Sequence, residues 1–315
     1  MKPFTMTNNA GEGPFLAGGT TLVDLMKLNV VQPDHLTDLS ARRADLDYIH
    51  ADEKAVRVGA MTTMADLAAN LLIKTEFKAV ESALLQAASP QIRNMATIAG
   101  NILQRTRCSY FRDVHSPCNK REPGSGCSAI GGDTRSLAIL GQSPHCIANY
   151  PGDLAIALVA LDAELSVRSS DGSVRDMHVD ALHRLPGDTP HLETTLLPGE
   201  LIEAISLPRD RFDHSIYYKV RDRSSYAFAL ASCAVALRLE EGVIQDIRIV
   251  LGGLATRPWR CVHAEDSLLG KHLEIEAIER AARLCLEDAT PDQKQKAKVE
   301  LGRRTVMKAL LSVLK

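Results

Sequence analysis

Four cysteines in one irregular segment form the group of side chains with the clearest capacity for chemistry. Nine, eight and eighteen residues separate them, and they are Cys108, Cys118, Cys127 and Cys146. The segment around them is rich in glycine and proline and has no strong hydrophobic periodicity. Loops of this length are uncommon in compact domains unless they are functional or held in place. Four thiolates around a metal centre would hold this loop.

The spacing of these cysteines leaves several ligand chemistries open. Disulfides require an oxidising compartment, and the short polar stretch Met1–Thr5 predicts that the chain has no secretory signal of its own. Tetrahedral zinc usually takes its ligands from close C-x2-C pairs, which this segment lacks. An iron–sulfur cluster also takes four thiolates, and its bulk allows widely spaced ligands. Four incidental free thiols are the remaining alternative.

Local charge favours the iron–sulfur cluster among these alternatives. Basic residues outnumber acidic ones between Asn101 and Tyr150, because only Asp113, Glu122 and Asp133 oppose the bases Arg105, Arg107, Arg112, Lys120, Arg121 and Arg135. An excess of positive charge suits a cluster whose thiolate ligands give it a net negative charge.

Length and composition set the outer limits of the interpretation. With 315 residues the chain exceeds what one core usually supports, so two or three domains are expected. A net charge of −2 and an aromatic content of 4% give no reason to expect a nucleic-acid partner. No apolar run is long enough to predict a membrane span.

A glycine pair near the start of the chain predicts a binding turn. Pro14 to Ala17 predicts a short strand, and the apolar spacing after Thr21 predicts a helix with Thr20 or Thr21 as its cap. Between them lie Gly18 and Gly19, whose backbone N–H groups could approach a phosphate closely. A plain tight turn is the alternative. The chain has no G-x-G-x-x-G or Walker motif, so neither a Rossmann site nor a P-loop is predicted.

A second glycine turn follows further along the chain. The run Thr97-Ile98-Ala99-Gly100-Asn101 predicts another strand that ends at a glycine. Two such turns could clasp one extended diphosphate ligand between two subdomains.

The remaining pattern mixes strands and helices. Up to the polar stretch at residues 208–213 it predicts strands at 36–39, 56–60, 163–168, 174–179 and 201–207, and helices at 64–73, 77–88 and 152–161. After that stretch it predicts strands at 215–220, 228–239 and 243–251, followed by helices from about 264, at 274–287 and from 292 to the end. Cys233, Cys261 and Cys285 lie among apolar neighbours and are expected to be buried free thiols.

These motifs resemble a known family. The stretch from Leu16 to Asp24, the run Thr97–Asn101, and the downstream Asp153 and Lys219 resemble the FAD-binding subunit of the molybdenum hydroxylases. That family includes xanthine dehydrogenase, carbon monoxide dehydrogenase and aldehyde oxidoreductase. Ala99 stands where its second motif usually has a glycine. The four-cysteine insertion resembles the subclass with an extra 4Fe-4S cluster, most closely the periplasmic aldehyde oxidoreductase flavin subunits.

The resemblance implies an α+β fold in two parts. The first is an FAD-binding domain of the vanillyl-alcohol oxidase (PCMH) type at residues 1–209, with subdomains at about 1–55 and 56–209 and the iron–sulfur loop inserted at 102–150. The second is a smaller α/β C-terminal domain at residues 210–315, with an antiparallel sheet and helices.

The resemblance also implies the site residues. The four loop cysteines would ligate the 4Fe-4S cluster, and Lys219 would lie beside the flavin, where a cation stabilises negative charge on the reduced ring. No acid–base catalytic residue is implied, because the protein positions and tunes the cofactor. The implied FAD contacts are Leu16, Ala17, Gly18, Gly19, Thr20, Thr21, Leu22, Val23, Thr97, Ile98, Ala99, Gly100, Asn101, Asp153, Ile202 and Lys219.

The implied function is electron transfer within a larger enzyme. The chain would be the FAD and 4Fe-4S subunit of a molybdenum-dependent aldehyde oxidoreductase that converts aldehydes to carboxylic acids. A large subunit would hold the molybdenum cofactor, and a small subunit would pass electrons through 2Fe-2S clusters to FAD and on to a small-molecule acceptor. The assembly would be a heterotrimer or a dimer of it.

Two other functions stay open at this stage. The first is the flavin subunit of an enzyme like 4-hydroxybenzoyl-CoA reductase, and the second is a zinc-stabilised binding subunit without a redox role. The compartment is also open. The subunit would be periplasmic by co-export with a signal-bearing partner, or cytoplasmic.

Overall fold

A small parallel sheet begins the described part of the chain. A computed structural model describes residues 5–7 and 13–314, so residues 1–4 of the polar N-terminal stretch lie outside the described residues. The strands β1 (Thr5–Thr7), β2 (Phe15–Leu16) and β3 (His35–Asp38) pair in the order β1-β3-β2. Helix α1 (Leu22–Lys27) lies between β2 and β3, and α2 (Arg43–Leu46) follows a short 3-10 turn. The predicted strand, glycine turn and helix are confirmed here.

A five-stranded antiparallel sheet forms the second layer. Its order is β4-β5-β8-β6-β7, where the strands are β4 (Ile49–Ala51), β5 (Ala55–Gly59), β6 (Glu164–Arg168), β7 (Val174–His178) and β8 (Leu201–Pro208). Between β5 and β6 the chain forms α3 (Met64–Ala69), α4 (Leu71–Glu76), α5 (Lys78–Gln86), α6 (Pro90–Arg93), α7 (Ile98–Ile102), α8 (Ser109–Arg112) and α9 (Leu154–Ala160).

Two predictions in this region are wrong. The run at residues 64–73 is not one helix, because the Asn70 side chain accepts hydrogen bonds from the backbone of Leu72 and Ile73 and starts a new helix there. The run at 97–101 is not a strand. The Thr97 hydroxyl accepts from the N–H of Gly100 and begins α7. Short apolar runs do not distinguish a strand from a buried helix.

An antiparallel sheet and three helices form the C-terminal part. Its strands pair in the order β12-β11-β10-β9 and are β9 (His214–Val220), β10 (Ala231–Glu240), β11 (Val243–Gly252) and β12 (Trp259–Arg260). The helices are α10 (Val262–Leu268), α11 (Ile275–Leu284) and α12 (Lys296–Ser312). The two-residue turn at Glu241-Gly242 joins β10 to β11 with both residues at positive φ. The thiols of Cys233, Cys261 and Cys285 are free and buried, as expected.

Helix α9 joins the two parts of the fold. All seven of its residues are buried, and it packs against α5 on one side and against β10 and β11 on the other. A single apolar cluster therefore contains residues of the five-stranded sheet together with Tyr217, Ala234, Ala236 and Val250 of the C-terminal sheet. No helix in residues 5–7 and 13–314 is long and apolar enough to cross a membrane.

Glu200 fixes the turn that leads into β8. Its carboxylate accepts two hydrogen bonds of 2.8 Å from the Arg175 guanidinium of β7 and one of 2.8 Å from the N–H of Leu197. The Arg175 hydrogen bonds, helped by that N–H, lower the pKa of Glu200 to about 2 against the opposing effect of burial. The charged form of Glu200 is therefore the one that the fold stabilises.

Glu200→Gln is expected to lower the free energy of unfolding at pH 7 by about 1.5–3 kcal/mol, because hydrogen bonds to a charged group are lost. The folded pKa lies below the usual value of 4.5, so the wild-type stabilisation is complete above about pH 4.5 and disappears as the pH falls toward 2. Urea unfolding at pH 7 and at about pH 3 measures this. The exposed Glu164→Gln is the control, and an undiminished difference at the lower pH would contradict the assignment.

Candidate functional site

The first glycine turn lies directly against the second turn region. A Cβ at Gly18 would overlap the carbonyl oxygen of Met95, so only glycine allows this approach. Gly19 has a φ of 71°, which also favours glycine. The side chains of Leu16 and Val23 pack beside Gly19. Within the described part of the chain, the backbone N–H groups of residues 18–21 have no hydrogen-bond acceptor.

The second turn presents an unpaired polar atom. Asn101 donates from Nδ2 to the Met64 sulfur at 3.3 Å. Its Oδ1 is buried and has no hydrogen-bond partner among the described residues. Buried polar atoms without partners are rare, and those that occur call for a specific explanation. A ligand that donates to Oδ1 or brings ordered water to it provides that explanation.

The two turns line two neighbouring cavities that share Thr20 and Thr21, and we call these cavities the narrow and the wide part of the cleft. The narrow part, of about 290 Å³, is lined by Ala17, Gly18, Gly19, Thr20, Thr21, Leu22, Thr97, Ala99, Gly100 and Ile202, together with further apolar residues and the charged Arg105 and Glu200. The wide part, of about 810 Å³, is lined by Thr20, Thr21, Asn101, Asp153 and Lys219 among others. The two parts meet at Thr20 and Thr21. Of the predicted contacts, Leu16, Val23 and Ile98 do not line the cleft and instead support its turns.

A buried ion pair closes the wide part of the cleft. Lys219 Nζ lies 2.8 Å from Asp153 Oδ2, with side chains 1% and 5% exposed. The Tyr217 hydroxyl donates to the other oxygen of Asp153, and Lys219 also donates to the carbonyl of Gln86 at 3.1 Å. Burial raises the pKa of Asp153, and the Lys219 ammonium opposes that effect. Lys219 is therefore not the solvated strand lysine that composition alone would allow.

Asp153 does not cap α9 with its side chain. It occupies the position before the helix, but its carboxylate makes no capping hydrogen bond and faces Lys219 and Tyr217 instead. Lys219 and Arg221 share a strand face, since both donate to the carbonyl of Gln86. The same alternation places Tyr217 on that face, and this signal was available in the sequence.

The arrangement suits an extended ligand with a central anionic group. Unpaired backbone N–H groups at Gly18–Thr21 can donate to phosphate oxygens. Apolar residues such as Ile202 line one end, and polar residues with a fixed cation line the other. The glycine that has no room for a Cβ and the unpaired Asn101 oxygen both fit a dinucleotide cofactor such as FAD.

The loop cysteines lie together in their own small core. Cys108, Cys118 and Cys146 are buried and Cys127 is half-buried, around Leu25, Phe111 and Leu137. Cys118 and Cys127 face each other in a short antiparallel bridge. Burial raises the pKa of Cys146 to about 11, although the Lys120 ammonium opposes the increase. Bound metal would hold such thiols as thiolates.

The two ligand chemistries predicted for the loop cysteines differ in what they require. Zinc takes its four ligands within direct bonding distance of one ion, whereas four thiolates surround a larger iron–sulfur cluster. Among the described residues, no group of three or more His, Cys, Asp or Glu side chains is placed to hold a single metal ion. The four cysteines therefore stay predicted ligands.

Most loop bases have carboxylate or carbonyl partners. Arg107 and Arg112 pair with Asp24 of α1, and Arg105 and Lys120 pair with Glu193. Arg121 donates to the carbonyls of Tyr110, Phe111 and Ser116. Most of the predicted positive charge is therefore paired with groups that hold the loop in place. The Lys120 ammonium opposes the rise in the pKa of Cys146.

The last helix also fixes the loop. The buried Lys298 of α12 donates to the carbonyls of Leu137 at 2.6 Å and Gly253 at 2.8 Å. Gln295 donates to the carbonyls of Thr134 and Ala138, each at 3.0 Å. Burial lowers the pKa of Lys298 to about 8. These anchors come from residues far along the chain, so sequence reasoning missed them.

The chain belongs to the FAD-binding subunits of the molybdenum hydroxylases. Residues 4–210 match the family described as FAD binding domain in molybdopterin dehydrogenase, and residues 216–314 match the CO dehydrogenase flavoprotein C-terminal domain. The predicted family, the mixed α and β fold with these two parts, and the class of oxidoreductase subunit are confirmed.

Individual relatives cover nearly the whole chain. The aldehyde oxidoreductase FAD-binding subunit PaoB of Escherichia coli K12 is 42% identical, over 94% of this chain and 90% of that protein. The glyceraldehyde dehydrogenase medium chain of Sulfolobus acidocaldarius is 27% identical, over 94% and 86%. A solved carbon monoxide dehydrogenase of Hydrogenophaga pseudoflava matches with a TM-score of 0.75 and 25% identity, over 99% and 97% of the two chains.

Lys219→Met is expected to lower the free energy of unfolding by about 3–5 kcal/mol, because it leaves the carboxylate of Asp153 buried without its cation. The double variant Lys219→Met/Asp153→Asn should recover part of that loss, since no buried charge remains. Chemical denaturation of both variants and of Asp153→Asn measures the coupling. Strictly additive losses would argue against a buried ion pair.

Proposed function

We propose that this chain is the FAD and 4Fe-4S electron-transfer subunit of a molybdenum-dependent aldehyde oxidoreductase. The observation that carries the proposal is the pair of adjoining cavities, one lined by Ile202 and the other by Lys219, that share Thr20 and Thr21 of the glycine turn. The N–H groups of residues 18–21 have no acceptor among the described residues. The similarity to an aldehyde oxidoreductase FAD-binding subunit supports the reaction class.

In this proposal the chain positions FAD through its backbone. The N–H groups of residues 18–21 and the turn at Gly100 would hold the pyrophosphate, and Ile202 would contact the apolar end. Asp153 and Lys219 would lie at the redox-active end, where the cation favours negative charge on the bound group. The bound flavin supplies the ability to exchange electrons singly or in pairs.

Cys108, Cys118, Cys127 and Cys146 would ligate one 4Fe-4S cluster. Their clustering in a small buried core beside α1 supports this. Because α1 begins at the glycine turn and bonds to the loop through Asp24, the two cofactor sites share a structural element. The cleft and the loop thus belong to one electron-transfer unit.

Partner subunits would supply the rest of the enzyme. A large subunit would hold the molybdenum cofactor and oxidise the aldehyde, and a small subunit would carry 2Fe-2S clusters that deliver electrons to this chain. A heterotrimer or a dimer of it, and a small-molecule terminal acceptor, complete the proposal. We propose that the assembly is periplasmic by co-export with a signal-bearing partner, or cytoplasmic.

Gly19→Val is expected to remove FAD from a chain that still folds, because the side chain crowds Val23 and strains the positive φ at the pyrophosphate turn. Flavin absorbance per chain and circular dichroism measure the two properties. Gly172→Val is the matched control, since Gly172 has a φ of 87° and open space around it in an exposed turn. Full flavin occupancy in Gly19→Val would rule out this binding mode.

Cys127→Ser is expected to lower the iron content by about four atoms per chain, because one thiolate ligand is lost. Loop resistance to protease should fall, while most FAD remains. Iron analysis and limited proteolysis measure these effects, and Cys285→Ala in the C-terminal core is the control. Unchanged iron in Cys127→Ser would refute the ligand assignment. The visible spectrum separates this function from a zinc-stabilised subunit, which has neither flavin nor iron–sulfur bands.

A further inference from the structure

Arg107 connects the cysteine loop to the wide part of the cleft. It precedes Cys108 in the chain, and its side chain lines the same space as Asn101, Asp153 and Lys219. None of the glycine motifs includes it. Its position therefore calls for an explanation that the family motifs do not give.

The guanidinium of Arg107 is held in place by two neighbours. Its Nη1 donates to Asp24 Oδ2 at 3.1 Å, and its central carbon lies 5.1 Å from the ring centre of Phe228. Asp24 also binds Arg112, whose Nη2 lies 3.0 Å from Oδ1. These contacts fix the plane of the Arg107 guanidinium without using all of its donors.

One nitrogen of that guanidinium is both buried and unpaired among the described residues. The Nε of Arg107 is buried and has no hydrogen-bond partner among the described residues. A buried donor without an acceptor is costly, and for a charged group the cost is larger. In the same part of the cleft, the unpaired Oδ1 of Asn101 is an acceptor. Two residues that line this part of the cleft, Arg107 and Asn101, thus each have one buried polar atom without a partner among the described residues.

We propose that Arg107 is a cofactor-contact residue whose Nε–H donates to an oxygen of bound FAD. The proposal rests on the proposed function, because it requires FAD in the cleft. The segment that leads into the first cluster ligand then forms part of the flavin site. The oxygen gains a charge-assisted hydrogen bond, which is stronger than one from a neutral donor.

The alternative role for Arg107 is purely structural. Arg107 would then only bind the loop to α1 through Asp24, as Arg112 does. Arg112 is the matched control, since its loss also removes an ion pair with Asp24 and its side chain lines the same part of the cleft, while its Nε is not among the unpaired buried atoms. Arg107→Lys separates the roles in another way. Lysine keeps a positive charge that can pair with Asp24 but has no Nε–H in that position.

The test uses the full-length chain, freed of flavin and loaded with iron, and FAD as the titrant. Arg107→Met and Arg107→Lys should each raise the Kd for FAD by about tenfold or more, and Arg112→Met should raise it less than about threefold. Iron content and melting temperature should be equal in Arg107→Met and Arg112→Met.

Two results would overturn the inference, and they are distinguishable. In the first, wild type binds FAD, but Arg107→Lys binds it equally well or Arg112→Met weakens binding as much as Arg107→Met does. Arg107 then only holds the loop, and the proposed function stands. If wild type itself has no affinity for FAD, the proposed function fails and the inference fails with it.

Discussion

The buried ion pair between Asp153 and Lys219 is the interaction on which the site depends. Asp153 precedes α9 and Lys219 lies in the C-terminal sheet, so the pair connects the two parts of the fold. Lys219 also donates to the carbonyl that ends α5. A buried ion pair is stable only if the two charges are close and also form further hydrogen bonds. The Tyr217 hydroxyl donates to Asp153, and the Gln86 carbonyl accepts from Lys219. The wide part of the cleft takes its shape from this junction.

The close contact at Gly18 gives the other end of the cleft a similar constraint. The first turn lies against the backbone at Met95, just before the segment that leads into α7. The contact holds the turn whose N–H groups, at residues 18–21, have no acceptor among the described residues. Preorganised donors of this kind bind an anion without first having to reorganise.

Sequence reasoning found the parts of the fold that local rules control. The strand, glycine turn and helix around Gly18 and Gly19 follow from residue type and apolar spacing. Local rules were wrong at Thr97. Its side chain caps a short helix in an apolar run that was predicted to be a strand. These rules could not place Asp24 beside Arg107, 83 residues away, or Glu193 beside Arg105, 88 residues away. Such pairings depend on the tertiary fold, which the composition of a loop does not reveal.

The attachment of the cysteine loop to α12 has a consequence for biosynthesis. Lys298 reaches back 161 residues to the carbonyl of Leu137, and a ribosome releases the chain from its N-terminus. The loop therefore emerges long before the helix that fastens it exists. The loop can pair with Asp24 of α1, which is synthesised before it, whereas its contact with Lys298 forms only after a further 161 residues have been added.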